Sequence, residues 1–259
     1  MSKDLVETDP WSPLRQTTPA RIALGRVGGS LPTAPMLDFQ LAHARARDAV
    51  QREFDQQGMA DELVVAGFEA LCVHSKAIDR HAYLRRPDLG RRLDHASRAF
   101  LNKRERTPVD AVFVIGDGLS SEAVHRHALA VLRLAAQAQV RAGWSLGPVV
   151  LAEQARVALG DEIGQLLQAR QVAMLIGERP GLSAADSLGI YLTWQPEVGR
   201  NDSQRNCISN VRPDGVGYAA AAHTLVYLML EAARRSYTGV QLKDESAGVP
   251  LLIEPRDSL

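Results

Sequence analysis

Two stretches, VDAVFVIGDGLSS at 109–121 and QVAMLIGERPGLS at 171–183, decide the fold. Each is a run of β-branched and apolar residues that stops at a glycine, the pattern of a buried parallel strand whose carboxyl end opens into a loop. From Thr107 onward the texture is strand, loop, helix: VDAVFVIG, a helix over 119–141, GPVVLAE, a short helix near 160–169, QVAMLIG, LGIYLTW, a helix over 218–236, and GVQLK. Strands alternating with helices predict an α/β domain over 107–245, Rossmann-like, with a mostly parallel sheet covered on both faces. In such sheets ligands sit at the carboxyl ends of the strands.

Ahead of this domain, 36–106 reads as a helical region. Pro35 suits the first turn of a helix running to Gln57, with Leu37, Leu41, Ala44, Val50 and Phe54 at three- or four-residue spacing. The pattern stays helical over 59–106 but turns basic at Arg80, Arg85, Arg86, Arg91, Arg92, Lys103, Arg104 and Arg106. That is either a solvated face or a patch for an acidic partner surface. Residues 1–35 hold five of the 13 prolines together with Gly25, Gly28 and Gly29, so they read as an extended arm. Trp11, Leu14, Ile22, Leu24 and Leu31 are apolar, which favours an arm lying on a partner over a solvated tail. Residues 246–259 are expected to form a C-terminal tail.

Composition narrows the classes. The chain has 259 residues, 46% of them hydrophobic, and a formal net charge of zero, so no bulk field draws it to nucleic acid or to an anionic membrane. Cys72 and Cys207 lie far apart with no CxxC spacing, which argues for a reducing compartment and against structural zinc. The amino terminus lacks the order of a secretory signal, and no apolar run approaches the ~18 residues of a membrane span. A cytoplasmic protein is expected.

Four motifs could carry chemistry. GDGLSS at 116–121 follows a buried strand and opens a helix, so Gly116 and Gly118 permit close backbone approach and Leu119 to Ser121 offer amide donors. It is not a dinucleotide fingerprint, because Ser121 stands where GxGxxG needs its last glycine. Asp117 reads as a turn residue within reach of a ligand. EQARVALGDEIG at 153–164 places Arg156 and Val157 in the connection after a strand, while Asp161 and Glu162 oppose the dipole of the next helix. GERPGL at 177–182 delivers Glu178 and Arg179 to the ligand edge, unless the two form an ordinary ion pair. In QRNCISNVRP at 204–213, Cys207 has no nearby histidine, which suits a small packed contact rather than a nucleophile. His125 and His127 are two apart on a predicted helix and point to different faces. Asp79-Arg80-His81 opens like the DxHxxG motif of base-off cobalamin carriers, but Leu84 replaces its glycine. No metal site is expected.

Four blocks together resemble one family: TPARIALGRVGGSLPT at 18–33, DFQLAHARARDAV at 38–50, RVALGDEIG with IGERPGLSAADSLGIYLTW at 156–194, and RNCISNVRP at 205–213. The chain resembles the small subunit (light chain) of ethanolamine ammonia-lyase, an adenosylcobalamin-dependent carbon–nitrogen lyase. The resemblance implies a separate large subunit, a TIM barrel, that carries the catalytic residues, in a hetero-oligomer resembling six large plus six small subunits. It implies that the small subunit helps hold the cobalamin while a radical mechanism converts ethanolamine to acetaldehyde and ammonia. It also implies a setting in the cytosol, free or inside a bacterial microcompartment. Three positions fall in intact motifs that match the family's cobalamin contacts: Val157, Glu178 and Cys207. The cofactor keeps its own lower base in this family, so no protein histidine is needed on cobalt. Two rival readings are a free-standing NAD-dependent oxidoreductase using GDGLSS and a non-catalytic module that delivers cobalamin.

Overall fold

The computed structural model describes residues 6–105 and 107–250. The arm begins with a two-residue bridge between Glu7 and Arg26, closed by their ion pair, and a single 3-10 turn at Ser12–Gln16. Helix α1 (Thr33–Gln51) follows Pro32 and carries Pro35 in its first turn, where a missing N–H costs nothing. It ends six residues short of the expected Gln57. Ala49 is its one buried residue, while Met36, Leu37, Phe39 and Leu41 remain exposed. A second helix, α2 (Gln56–Val65), starts at once, capped by the Asp55 carboxylate accepting from the Gly58 N–H.

The region expected to be helical then departs from its pattern. Strand β1 (Ala70–His74) interrupts it, followed by α3 (Arg80–Arg85) and α4 (His95–Asn102). The remaining elements are β2 (Val109–Gly116), α5 (Ser121–Arg141), β3 (Val149–Glu153), α6 (Leu159–Leu166), β4 (Ala169–Gly177), β5 (Leu188–Trp194), β6 (Arg205–Val211) and α7 (Tyr218–Arg235). The expected strand GVQLK at 239–243 is instead a turn: the Asn206 side chain accepts from the Gly239 N–H and donates to the Leu242 carbonyl. The expected tail lies outside the described residues beyond 250, and Arg106 also lies outside them.

Among these residues the strands form one sheet in the order β1-β3-β2-β4-β5-β6. The first four are parallel to their neighbours, whereas β4–β5 and β5–β6 pair antiparallel, so the sheet is mixed at one side. Strand β2 shows why these residues read as a buried strand. Ala111, Phe113 and Ile115 pack on the side covered by α2, α5 and α7, and Val112 and Val114 pack on the side covered by α4 and α6. A strand buried on both faces has no polar alternation to show. The adjacent strands β2 and β3 send their following helices, α5 and α6, to opposite faces. Their loops therefore splay apart and open a crevice at the carboxyl edge.

Part of the basic stretch is absorbed by the fold. Arg92 and Arg98 both pair with the buried Glu162, Arg80 pairs with Asp117, Arg104 with Glu69 and Arg86 with Asp88. Arg80 and Arg92 thereby hold the fold together, as does Arg98, while Arg85, Arg86, Arg91 and Lys103 remain exposed as a solvated face.

Candidate functional site

A shallow cavity of about 420 Å³ lies at the carboxyl edge of the sheet. The loop after β2 contributes Gly118 and Leu119, the loop after β3 contributes Arg156 and Val157, β4 and its loop contribute Ile176 to Arg179, and β5 contributes Tyr191. Tyr83 of α3 closes the floor, fully buried, with its hydroxyl donating to the Ala155 carbonyl at 3.0 Å.

Glu178 is the most constrained polar group here. One carboxylate oxygen accepts from the Ser187 hydroxyl at 2.7 Å and the Asn210 N–H at 3.1 Å, and the other accepts from the Ser209 hydroxyl at 2.5 Å. Its backbone N–H donates to the Ser187 carbonyl at 3.0 Å. Among the described residues it makes no ion pair with Arg179, which is exposed, so the simple pair considered from sequence does not form. The side chain lies over β5 because Gly189 leaves room: a Cβ there would sit 3.0 Å from Glu178 Oε1. An ionised carboxylate has about four acceptor positions, and three are used, so one remains for a ligand donor.

Cys207 does not line this cavity but adjoins it. It sits on β6 directly across from Tyr191, on the same face of the sheet, and is exposed. Burial, and then the nearby Glu178 charge, push its thiol up, against a hydrogen bond with Tyr191 that lowers it. Burial first, then Cys207, raise the Tyr191 hydroxyl in turn. A raised thiol has less of the thiolate form that nucleophilic attack needs. Val157 is half-buried and packs against the core under α6. The three expected residues thus share one surface, which runs from the tips of β3 and β4 onto the exposed face of β5 and β6.

The glycine loop behaves differently from expectation. Gly118, at φ +57°, would place a Cβ 2.2 Å from the Gly177 carbonyl oxygen, and Gly177 would place one 2.0 Å from the Ser120 carbonyl oxygen. These glycines let two loops of the protein pack closely on each other at the edge of the cavity. The Leu119 N–H donates to the Gly177 carbonyl and the Ser120 N–H to the Asp117 carbonyl. Two of the three amides a pyrophosphate would need are therefore spent, which removes the support for a nicotinamide dinucleotide. Asp117 is likewise no loose turn residue. It is 2% exposed and accepts from the N–H groups of Gly118 at 2.9 Å and Ala155 at 2.8 Å, with Arg80 Nη1 at 3.2 Å. Burial raises its carboxyl to about 6, against the pull of those donors.

Sequence reasoning missed Tyr83, Tyr191, Ser187, Ser209 and Asn210. The glycine at 189 within a strand was the available signal, since a missing side chain there marks a close approach. A larger cavity of about 900 Å³ lies between α1 and the start of α5. Some of its charges are paired, as in Arg52–Glu122 and Arg126–Asp186, and none of the expected site residues reaches it. Among the described residues, Asp79 caps α3 by accepting from the Ala82 N–H, and no cluster of three or more His, Cys, Asp or Glu is placed to hold a metal ion.

The site's chemistry suits a large ligand edged with neutral polar groups. A fixed acceptor at Glu178, cationic donors at Arg156 and Arg179, and small side chains at Val157 and Cys207 match the amide-bearing rim of a corrin in donor and acceptor type. No helix among the described residues is long and apolar enough to cross a membrane.

The family described as Ethanolamine ammonia-lyase light chain (EutC) matches residues 8–243 of this chain. The ethanolamine ammonia-lyase small subunit of Pseudomonas aeruginosa strain PAO1 is 56% identical over 246 residues, covering 94% of this chain and 90% of the relative. That of Pseudomonas paraeruginosa strain PA7 is 57% identical over the same shares. That of Pseudomonas putida strain KT2440 is 56% identical over 241 residues, covering 92% of this chain and 89% of the relative. Motifs at the site and similarity over nearly the whole length agree: the chain belongs to the ethanolamine ammonia-lyase small-subunit, or light-chain, family.

Proposed function

We propose that this chain is the small subunit of an adenosylcobalamin-dependent ethanolamine ammonia-lyase and contributes part of the cobalamin site at its interface with a large catalytic subunit. One observation carries the reading: Val157, Glu178 and Cys207, far apart in sequence, share one surface at the carboxyl edge of the sheet. When bound, the cofactor supplies the radical chemistry that converts ethanolamine to acetaldehyde and ammonia.

The residues of this chain bind and orient. Glu178 presents its remaining lone pair to an amide N–H of the corrin rim, and its three internal donors fix that lone pair in direction. Val157 and Cys207 are small enough for the ring to approach the sheet. A cavity of about 420 Å³ covers only part of so large a group. The large subunit, proposed as a TIM barrel carrying the catalytic residues, closes the rest. The arm supports a partner as well, since Trp11, Leu14 and Leu31 are exposed and continue into the bare apolar residues of α1. The setting proposed is the cytosol, free or within a microcompartment.

Mixing purified chain, large subunit and adenosylcobalamin tests this. Acetaldehyde and ammonia form from ethanolamine only with both subunits present. Turnover by the large subunit alone at the full rate overturns the shared site, and co-purification at a fixed ratio separates a resident subunit from a transient cobalamin carrier.

A further inference from the structure

Arg156 occupies the wall of the candidate site opposite in charge to Glu178, and its placement is over-determined. Its backbone N–H donates to the Gly90 carbonyl at 2.8 Å, and its Nη2 donates to the Tyr83 carbonyl at 3.1 Å. The guanidinium lies over the Tyr83 ring, 4.1 Å from the centroid. Arg80 stacks on the same ring at 4.7 Å, held in turn by Asp117, the Gly118 carbonyl and the Val50 carbonyl. The aliphatic stem crosses Gly90 so closely that a Cβ there would sit 2.8 Å from Arg156 Cγ. A long side chain normally loses substantial rotamer freedom on binding a ligand. Here the fold has already removed that freedom.

The hydrogen bonds of this fixed cation are incomplete. Nη2 is used and Nε is sealed from water, while Nη1 makes no hydrogen bond among the described residues and is the accessible donor on the cavity wall. A guanidinium held this rigidly, with an N–H edge left unused on a cavity wall, is a ready donor to a bound group. The group's character follows from the neighbours. Glu178 lines the same cavity, so an anion bound to Arg156 would face a fixed carboxylate. A neutral dipole offering a carbonyl to arginine and an N–H to glutamate satisfies both.

We propose that Arg156 is a second cofactor-orienting residue of this site, donating to the carbonyl oxygen of a primary amide on the corrin rim while Glu178 accepts from an amide N–H. This rests on the cobalamin reading above. Tyr83 and Gly90 act behind Arg156 as positioning residues, one as a stacking platform and the other as clearance for the stem.

The test is equilibrium binding to the complex of this chain with its large subunit, read from the visible spectrum of the bound corrin. Two probes are used: hydroxocobalamin, and cobinamide, which keeps the rim amides but lacks the nucleotide phosphodiester. Arg156→Met keeps the stem over Gly90 and removes every N–H. It is expected to raise the Kd of both probes about tenfold, the cost of one charged hydrogen bond, while subunit association stays as in wild type. Arg156→Lys serves if the Met variant fails to assemble. It keeps the charge over Tyr83 but loses the planar fork, and it is expected to weaken both probes several-fold. Unchanged binding in the assembled variants, with Glu178→Ala weakened, overturns the role of Arg156 and leaves the cobalamin site standing. Unchanged binding in all three variants overturns the site itself. Weakening for hydroxocobalamin alone assigns Arg156 to the phosphodiester and overturns the amide.

Discussion

Glu178, at the end of β4, accepts a 2.5 Å hydrogen bond from Ser209 on β6, two strands away across the bare backbone of Gly189. The carboxylate is thereby braced from the far edge of the sheet before any ligand arrives. Pre-organisation of this kind lowers the entropy lost on binding. Replacing Glu178 removes both the acceptor and the brace.

Glu178→Ala is therefore expected to weaken cobalamin binding to the assembled complex by about 1–3 kcal/mol, the cost of leaving a buried amide N–H unsatisfied. Equilibrium titration followed by absorbance checks it. Wild-type affinity in a complex that assembles normally removes Glu178 from the site.

Arg205 and Asp161 form a bidentate pair, Nη1 to Oδ1 at 2.5 Å and Nη2 to Oδ2 at 2.7 Å, with both side chains almost wholly buried. Arg205 also donates to Thr193 and to the Arg200 carbonyl, tying β6 to α6 and β5. Removing one partner strands a buried charge, so Arg205→Met is expected to lose about 3–5 kcal/mol in urea unfolding. The double variant with Asp161→Leu should recover a large part of that loss. A loss under 1 kcal/mol (about the value of an exposed pair) contradicts this assignment.

Asp117 sets a pH dependence. Its carboxyl rises from 3.8 to about 6 on folding, chiefly through burial. A raised carboxyl contributes stability that is complete below the unfolded value and is lost as pH climbs through about 6. An asparagine cannot titrate, so wild type gains on Asp117→Asn as pH falls from about 7 to about 4, by about 3 kcal/mol at most. Urea unfolding of both proteins across this range measures the gain. A constant difference contradicts the raised value.

Much of the parallel sheet was legible because β2 and β4 are buried on both faces and their apolar runs stop at Gly116 and Gly177. Strand β1 was not, since Ala70–His74 is short, lies at the edge, and shows one polar-facing Cys72 between Leu71 and Val73. Strand β6 hid for another reason: a register irregularity between Leu188 and Ile190 disturbs its pairing, and its polar residues alternate imperfectly. At the site, Val157, Glu178 and Cys207 were nameable through family motifs alone. The partners of Glu178 were not, because Ser209 and Asn210 follow it by 31 and 32 residues and only the antiparallel return of β5 and β6 brings them back. The loop-to-loop clearance at Gly118 was not legible in GDGLSS, because clearance between two protein loops and clearance for a ligand leave the same mark in sequence.

The exposed arm predicts a division between assembly and cofactor geometry. Deleting residues 1–31, which carry exposed Trp11, Leu14 and Leu31, is expected to reduce co-purification with the large subunit or the solubility of the chain. Size-exclusion chromatography of the co-expressed pair shows this. Assembly at the wild-type yield contradicts a partner-bound arm.

In the function proposed, the carboxyl edge of this sheet holds one side of a corrin. The most direct test is a density map of the complex with the large subunit and hydroxocobalamin. The corrin rim is expected in contact with Val157, Glu178 and Cys207 and enclosed on its other side by the large subunit. A corrin bound wholly within the large subunit, away from these three residues, would contradict this function.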